Sequence, residues 1–429
     1  DEAAAERTTL RLRPGLYRSG SLFLKSGMTL LLDRDATLLG SQNLADYPVI
    51  PTRVAGIEMP WPAALLNVCE QQDVAILGEG CIDGDGKVFW DSYWRLREQY
   101  EPRGLRWASD YDAQRPRLLQ LFRSARVRIG EGLQLRRSGF WTLHCCYSKD
   151  ITIDGITIRN NEGGHGPSTD GVDIDSSRRV LVQNADIAGN DDAIVIKAGR
   201  DADGLRVARP TEDVIVRDCI VREGAAGITF GSETSGGFRN IEASRITVLG
   251  AVPVGILFKS APSRGGVISG IRLSDFRLDA VPVALRITMN WNPSYSSSDI
   301  PANEREVPAH WRTLAAPVSP EQGMARVSDV QISGLRARGA QTAFEVDAYE
   351  AAPLQGFRFH CLDIEAERGG HIQDARDWQF SDCSLRLGEP IAVGTDVDLQ
   401  GLAPDCWQRD AALKRRDVSS LSDAEQDIL

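Results

Sequence analysis

Pairs of short β-branched strands recur along the second half of this chain, and this repeat constrains its fold more than any other feature. Successive copies start 29, 34, 27, 30, 59, 27 and 21 residues apart, and the 59-residue gap is interpreted as two periods with an insertion. A period of 20 to 50 residues indicates a repeat architecture. With no helical pattern between the strands, the repeat predicts a parallel β-helix, an all-β solenoid whose coils stack about 4.8 Å apart. The copies begin at Ile151, Val180, Val214, Ile241, Ile271, Val330, Phe357 and Trp378.

The solenoid is expected to form one domain over residues 1–410, followed by a C-terminal tail over 411–429. Short alternating strands with turn residues between them already occur from Thr8 to Leu39. A length of 429 residues would by itself suggest two or three domains, but solenoids routinely exceed that expectation. The charged tail reads as a terminal helix or a loose segment, and it could cap an open end of the coil stack.

Three stretches interrupt the repeat, at residues 87–117, 199–212 and 290–312. The first is rich in Trp, Tyr and charged residues, so it predicts an insertion folded over the scaffold. Sugar rings stack on aromatic faces of this kind, although packing explains such residues as well. If these insertions lie over one end of a cleft, they would favour attack on chain ends.

Charge and cysteine content exclude several functions. The net charge of −11 argues against nucleic acid or an anionic membrane surface as the main partner. No apolar run approaches the roughly 18 residues that a membrane-spanning helix needs, so membrane insertion is not expected. The chain begins Asp1-Glu2-Ala3, without the features of a signal peptide, which indicates a cytoplasmic protein or a processed chain. Its eight cysteines contain no CxxC pair, which argues against a zinc site or a disulfide framework.

Aspartates concentrate in one stretch of the repeat. Asp170 precedes the pair Asp191-Asp192 by 21 residues, about one coil, so the three side chains are expected to share one site. Crowded carboxylates cannot all ionise easily, and a protonated acid beside an ionised base can cleave a glycosidic bond with water. A separation of about 6.5–9.5 Å between acid and base would leave room for that water and give inversion. The alternatives are that these aspartates cap turns or collect Ca²⁺.

Several segments resemble glycoside hydrolase family 28, which contains polygalacturonases and rhamnogalacturonases, and in particular its bacterial branch. The likeness runs from residue 16 to about residue 295. It implies a right-handed parallel β-helix and an inverting hydrolase that needs no cofactor and no metal. It also implies a secreted or periplasmic protein. The segments are Thr169–Asp173, Asp191–Lys197 and Gly227–Glu233, followed by Lys259 and by Arg264-Gly265-Gly266.

The resemblance assigns roles to individual positions. Asp191 matches the general acid, Asp170 and Asp192 match the carboxylates that orient and deprotonate water, and Lys259 matches a residue that contacts the sugar carboxylate. Further expected substrate-binding residues are His165, Glu233, Arg206, Arg264 and Trp291.

Three positions depart from the family pattern. The usual Asn before Thr-Asp is Ser168, a histidine that helps to tune the acid falls on Ala226, and an arginine of the carboxylate-binding fork falls on Leu257. His165 could replace the missing imidazole, although an ordinary loop histidine is the simpler reading. An apolar Leu257 next to Phe258 suits a sugar without a carboxylate, such as rhamnose, or a galacturonate that other residues recognise.

The sequence therefore predicts an inverting, exo-acting glycoside hydrolase that cleaves α-glycosidic bonds of a pectic polysaccharide or oligosaccharide, either galacturonan or rhamnogalacturonan. Two alternatives stay open. One is a β-helix polysaccharide lyase that uses Ca²⁺ and a basic residue. The other is a non-catalytic carbohydrate-binding β-helix whose site has lapsed through Ala226 and Leu257.

Overall fold

The computed structural model describes residues 8–413, and these form a right-handed parallel β-helix in which 35 strands belong to one continuous sheet. The strands of the first half are β1 Thr9–Leu12, β2 Gly15–Ser19, β3 Leu22–Phe23, β4 Thr29–Leu32, β5 Ala36–Gly40, β6 Val49–Val54, β7 Ile57–Pro62, β8 Leu66–Cys69, β9 Gln72–Gly78, β10 Cys81–Asp83, β11 Leu119–Phe122, β12 Ala125–Gly130, β13 Gln134–Arg136, β14 Leu143–Cys146, β15 Lys149–Asp154, β16 Thr157–Arg159, β17 Val172–Asp175, β18 Arg178–Gln183, β19 Asp186–Ala188 and β20 Ile194–Lys197. Those of the second half are β21 Thr211–Glu223, β22 Ala226–Phe230, β23 Phe238–Ala251, β24 Val254–Lys259, β25 Val267–Ser274, β26 Arg277–Asp279, β27 Val283–Thr288, β28 Arg326–Ser333, β29 Arg336–Asp347, β30 Leu354–His360, β31 Asp363–Ile372, β32 Ala375–Arg376, β33 Trp378–Ser381, β34 Ser384–Glu389, β35 Ile391–Val393, β36 Leu399–Gln400 and β37 Trp407–Arg409.

Helices occur only between strands. They are α1 Lys87–Tyr100, α2 Ser109–Asp112, α3 Asp201–Val207, α4 Pro293–Ser296, α5 Ala309–Leu314 and α6 Pro320–Gly323, with 3₁₀ turns at Leu44–Asp46, Glu101–Arg103, Arg106–Ala108 and Pro404–Cys406. The helices of the described chain therefore decorate a solenoid and form no layer of their own. None of them is long and apolar enough to cross a membrane.

The predicted repeat is confirmed residue by residue. Each copy pairs in parallel with the next, so that Ile151 lies beside Val180, which in turn lies beside Val214 on the following coil. The interpretation of the 59-residue gap was wrong. Ile271 pairs directly with Val330, so the gap is one coil that carries an insertion with α4, α5 and α6.

Stacking of like residues builds the core. Inward-facing side chains form one continuous apolar cluster from Leu24 to Val397 along the length of the coil stack. Aromatic rings stack within it, as between Phe230 and Phe258, whose centroids lie 4.4 Å apart. Each coil is therefore stabilised mainly by its two neighbours, as expected for a solenoid.

One residue in each coil turns the chain with a left-handed backbone conformation, and these residues lie in register from coil to coil. Their φ angles fall between 52° and 69°. Asp, Asn and Gly adopt this conformation at low cost, whereas larger or β-branched side chains are strained by it. The column comprises Asp73, Arg126, Asp150, Arg179, Asp213, Asn240, Gly270, Asp329, Gly356 and Asp377.

The insertion at 87–117 contains α1 and α2, and most of its aromatic residues are packed and do not form an exposed platform. Trp90, Tyr93, Trp107 and Tyr111 are each only 1% exposed. Part of the insertion forms a second apolar cluster with the antiparallel hairpin β6–β7 and with Trp311 of α5. Packing, the alternative explanation, therefore accounts for these rings.

Two other expectations concern the cysteines and the tail. All eight cysteines are free, which agrees with the predicted lack of a disulfide framework. Of the predicted C-terminal tail, only residues 411–413 are described, and residues 414–429 lie outside the described part of the chain.

The left-handed column predicts a position-specific effect on stability. Replacing the exposed Asn240 by Val should lower the free energy of unfolding by about 1–3 kcal/mol, because a β-branched residue is strained at φ 54°. Asn240→Gly should change it by less than about 0.5 kcal/mol. Urea unfolding followed by circular dichroism measures both values.

Glu242→Val is the matched control, since this exposed residue lies two positions later on the same strand in extended conformation. If both valine variants lose the same stability, the backbone conformation is not the cause.

Candidate active site

The solenoid brings the three predicted aspartates together at the point where two neighbouring strands begin. Val172 of β17 pairs with Ile194 of β20, which places Asp170 and Asp192 at equivalent positions two residues earlier. One carboxylate oxygen from each of Asp170, Asp191 and Asp192 lies within 4.8 Å of the others. The predicted juxtaposition is therefore present, with Asp170 and Asp192 buried and Asp191 partly exposed.

Two lysines, at the ends of β20 and of β24 two coils further on, hold the two buried acids. The Lys197 ammonium lies 2.9 Å from Asp170 and 2.7 Å from Asp173. The Lys259 ammonium lies 2.9 Å from Asp192, and the Thr229 hydroxyl donates a hydrogen bond of 2.7 Å to the same carboxylate. These contacts fix the orientation of the Asp170 and Asp192 carboxylates.

Asp191, the third acid, has surroundings unlike those of Asp170 and Asp192. Burial raises the pKa of Asp191 well above its ordinary value, and the neighbouring charges of Asp170 and Asp192 add to that rise. Burial also raises the pKa of Asp170, and Lys197 opposes that increase. The cluster therefore combines an acid that keeps its proton with two carboxylates that lie against ammonium groups.

A narrow pocket opens above the acids. The scaffold supplies its floor, and the insertions and the β6–β7 hairpin supply much of its wall. Residues that line it are Ala55, Arg106, Asp110, Phe140, Trp141, Ser168, Asp170, Asp191, Asp192, Lys197, Ser232, Glu233, Lys259, Trp291 and Tyr295.

Two of the other predicted substrate-binding residues lie in this pocket. Glu233 follows β22 and faces the opening beside the acids. Trp291 lies under the Lys259 ammonium, which is 4.4 Å from the centre of its ring. Both residues are placed to contact a bound sugar.

The remaining three predicted binding residues do not line the pocket. His165 is exposed, and its ring stacks on Trp94 at 6.1 Å, so it does not replace the missing imidazole. Arg206 pairs with Glu58 and Asp203 away from the acids. Arg264 is fully buried and pairs with Asp201, so it supports an insertion and is not positioned to touch a ligand.

Two of the three positions that depart from the family pattern, Ala226 and Leu257, are apolar and closed to solvent, whereas Ser168 is partly exposed and lines the pocket. Ala226 and Leu257 form a small buried cluster with Val254 and Val283. Phe258 points into the main core, where it stacks on Phe230. Neither Leu257 nor Phe258 lines the pocket, so the choice between rhamnose and a galacturonate recognised by other residues stays a prediction.

Several pocket residues were missed by the sequence analysis. Lys197 ends a strand that begins just after Asp191-Asp192, and counting alternate positions along that strand could have shown that it faces outward. Arg106 and Asp110 belong to the aromatic insertion, whose irregular fold gave no periodic signal that could place them.

Three groups of potential metal ligands occur among the described residues. One consists of the three pocket aspartates, against which two lysines already supply positive charge. The others are His144–Cys146–Asp175, which is fully buried beside Arg53, and His360–Cys361–Asp382, which is exposed. Lys197 and Lys259 at the three aspartates, and Arg53 at Asp175, are buried cations that disfavour an added metal ion at these two groups.

A parallel β-helix with clustered carboxylates in a lateral pocket defines a class of carbohydrate-active proteins. The profile of "Glycosyl hydrolases family 28" matches residues 55–307, and the chain belongs to this family. Relatives include a "Probable polygalacturonase" of Vitis vinifera, 32% identical over 285 residues, which are 65% of this chain and 54% of the relative. An "Exo-poly-alpha-D-galacturonosidase" of Dickeya chrysanthemi is 28% identical over 327 residues, which are 67% of this chain and 54% of that protein.

Solved structures show the same fold. An exopolygalacturonase from Thermotoga maritima superposes with a TM-score of 0.68 at 23% identity, over 92% of this chain and 84% of the other. The chain spans about half the length of the two curated relatives above.

The electrostatics of the cluster predict a measurable shift. Asp170→Asn removes a negative charge next to Asp191, so the ionised form of Asp191 becomes easier to reach and its pKa should fall. A ¹³C NMR titration of the aspartate carboxyl groups measures this value without depending on turnover.

Asp186→Asn provides the control, because Asp186 lies on β19, pairs with Arg159 and Arg222, and does not line the pocket. An Asp191 pKa that stays the same in Asp170→Asn would contradict the proposed coupling.

Proposed function

We propose that this protein is an inverting glycoside hydrolase that removes sugars from the end of a pectic chain, either galacturonan or rhamnogalacturonan. The observation that carries the proposal is the arrangement of Asp191, a partly exposed acid with a raised pKa, beside two lysine-bound carboxylates. The names of the relatives support a pectic substrate.

In the proposed reaction Asp191 donates its proton to the glycosidic oxygen as the bond to the leaving sugar breaks. Asp170 and Asp192 hold a water molecule and accept its proton as it attacks the anomeric carbon. Lys197 and Lys259 hold these two carboxylates in place through ion pairs of 2.9 Å each. No step in this reaction needs a metal ion or a cofactor.

The spacing of the acids does not by itself support inversion. Their nearest oxygens lie within 4.8 Å of one another, which is below the separation of about 6.5–9.5 Å that leaves room for the attacking water in inverting enzymes. Inversion is proposed on other grounds. Asp170 and Asp192 each lie against an ammonium, which makes a carboxylate a poor nucleophile but leaves it able to orient water.

Attack on chain ends is supported by the fact that insertions supply part of the pocket wall. The insertion at 87–117 contributes Arg106 and Asp110, and the insertion at 290–312 contributes Trp291 and Tyr295. The third insertion, at 199–212, lines no part of the pocket. Its Arg200 instead donates to the backbone carbonyl of Tyr295 and so supports the wall.

The proposed substrate agrees with a secreted or periplasmic location, since pectic polymers lie outside cells. Neither the family profile nor the named relatives point to a lyase. A lyase would release products that absorb in the near ultraviolet and would lose activity in chelator, whereas the proposed hydrolase should show neither behaviour.

The product pattern tests the mode of attack. With a panel of pectic oligosaccharides, the protein should release one monosaccharide from the first time point, because the pocket is walled at one side. Proton NMR of the fresh product should show the β-anomer from an α-linked substrate if the configuration inverts. A ladder of mid-sized oligomers, or the α-anomer as first product, would contradict this mode or this mechanism.

Removing the proposed acid tests catalysis itself. Asp191→Asn should lower kcat about 10²- to 10⁴-fold, because the leaving oxygen loses its proton donor. The surface variant Asp218→Asn, which alters pairs with Arg245 and Arg217 and does not touch the pocket, should retain wild-type turnover. If wild-type protein binds pectic oligomers but hydrolyses none of them, the non-catalytic alternative would replace the proposal.

A further inference from the structure

Arg106 has an environment unlike that of the other cations that line the pocket. Three basic residues of the described chain face it: Arg106, Lys197 and Lys259. Lys197 lies between Asp170 and Asp173, and Lys259 is matched by Asp192, so both charges are used by the acids. Only Arg106 has no contact with the catalytic cluster.

The acidic neighbours of Arg106 also serve other arginines. Its Nη1 atom donates to Asp110 at 3.0 Å and to the Ser109 hydroxyl at 3.3 Å, and its Nε atom lies 3.9 Å from Glu101. Arg115 also pairs with Asp110, and Arg97 pairs with Glu101. Within the described chain the Nη2 atom of Arg106 donates to no other group.

Packing fixes this guanidinium at the wall of the pocket. Arg106 is only 8% exposed, and its guanidinium carbon lies 5.4 Å from the centre of the Tyr295 ring. Beyond the two side chains a second crevice opens, which Arg106 also lines together with Trp107 and Pro293. Arg106 therefore lies between the catalytic pocket and that crevice.

We propose that Arg106 recognises the carboxylate of the terminal sugar and so makes the enzyme specific for a uronic acid end. This inference rests on the proposed function and narrows it to an acidic chain end. A planar guanidinium fixed by packing binds a carboxylate through two parallel hydrogen bonds, which a neutral sugar cannot accept in the same way. Arg106 would thereby take over the recognition that the family pattern places at the position of Leu257, which is closed to the pocket here.

A binding experiment tests this inference without requiring turnover. In the Asp191→Asn background, calorimetry compares digalacturonate with the same disaccharide in which the carboxyl groups are reduced to alcohols. Arg106→Met should weaken binding of the acid about 10- to 100-fold, the usual effect of losing a charge-assisted pair, and leave binding of the reduced sugar within about twofold.

Two further variants keep the result interpretable. Arg97→Met removes a guanidinium from the same insertion that also pairs with Glu101 but does not line the pocket, and it should bind both sugars as the parent does. Arg106→Lys keeps the charge and loses the fork, so it should lie between the parent and Arg106→Met. Melting temperatures check that each variant is folded.

The outcomes separate the two proposals. Equal losses for both sugars in Arg106→Met, equal binding of both sugars by the parent, or an unchanged affinity for the acid would each overturn the role of Arg106. A wild-type protein that binds the acid through Arg106 but cleaves no oligomer would instead contradict the proposed hydrolase.

Discussion

The parallel pairing of each coil with the next, residue over equivalent residue, is the constraint on which the rest of this structure depends. It places apolar side chains in one continuous core, and it aligns the left-handed residues such as Asp213 and Asn240 in a column. The same register puts Asp170 beside Asp192. Because alternate residues of a strand face opposite sides, a slip of one residue would turn Lys197 inward and dismantle the site. Fold stability and site geometry therefore share one cause.

The charges of the site are buried, and buried charges need partners. Asp175, at the end of β17, shows how the protein supplies them. Burial alone would raise the pKa of Asp175, but Arg53 and His144 outweigh it and lower the value to about 2. Lys197 and Lys259 lie against Asp170 and Asp192, and at Asp170 burial still raises the pKa although Lys197 opposes that rise. Asp191 makes no ion pair within the described chain, and burial together with the charges of Asp170 and Asp192 raises its pKa well above the ordinary value. Removing either lysine would leave a buried carboxylate unpaired, which costs stability as well as activity.

The sequence was most informative where the structure is periodic. Every predicted copy from Ile151 to Trp378 pairs with the next, because a coil must present the same pattern of inward residues to its neighbours. The grouping of the three acids followed from the same periodicity. The 59-residue gap was interpreted as two coils and is one, since a period measured along the chain cannot distinguish two coils from one coil with a long insertion.

The insertions could not be predicted in the same way, because their fold is set by packing between segments distant in sequence. His165 and Arg206 seemed suitable by charge and position, yet they face away from the acids. Arg106 gave no signal, because its place depends on contacts with Tyr295 almost two hundred residues later in the chain. The sequence identified the acids of the scaffold, whereas of the wall residues that the insertions supply to the pocket it predicted Trp291 but not Arg106, Asp110 or Tyr295.

This division has a physical consequence for how such a site can change. The acids and lysines lie on the coil register, so they cannot move without disturbing the core. The walls are joined to the scaffold at a few buried polar contacts, among them Arg53 of the β6–β7 hairpin, which lies 2.8 Å from Asp175. Insertions can therefore be replaced while the acid cluster stays intact, provided that these contacts are kept. Recognition of the chain end by Arg106 and hydrolysis by Asp191 are then separable properties, each held by a different part of the same pocket.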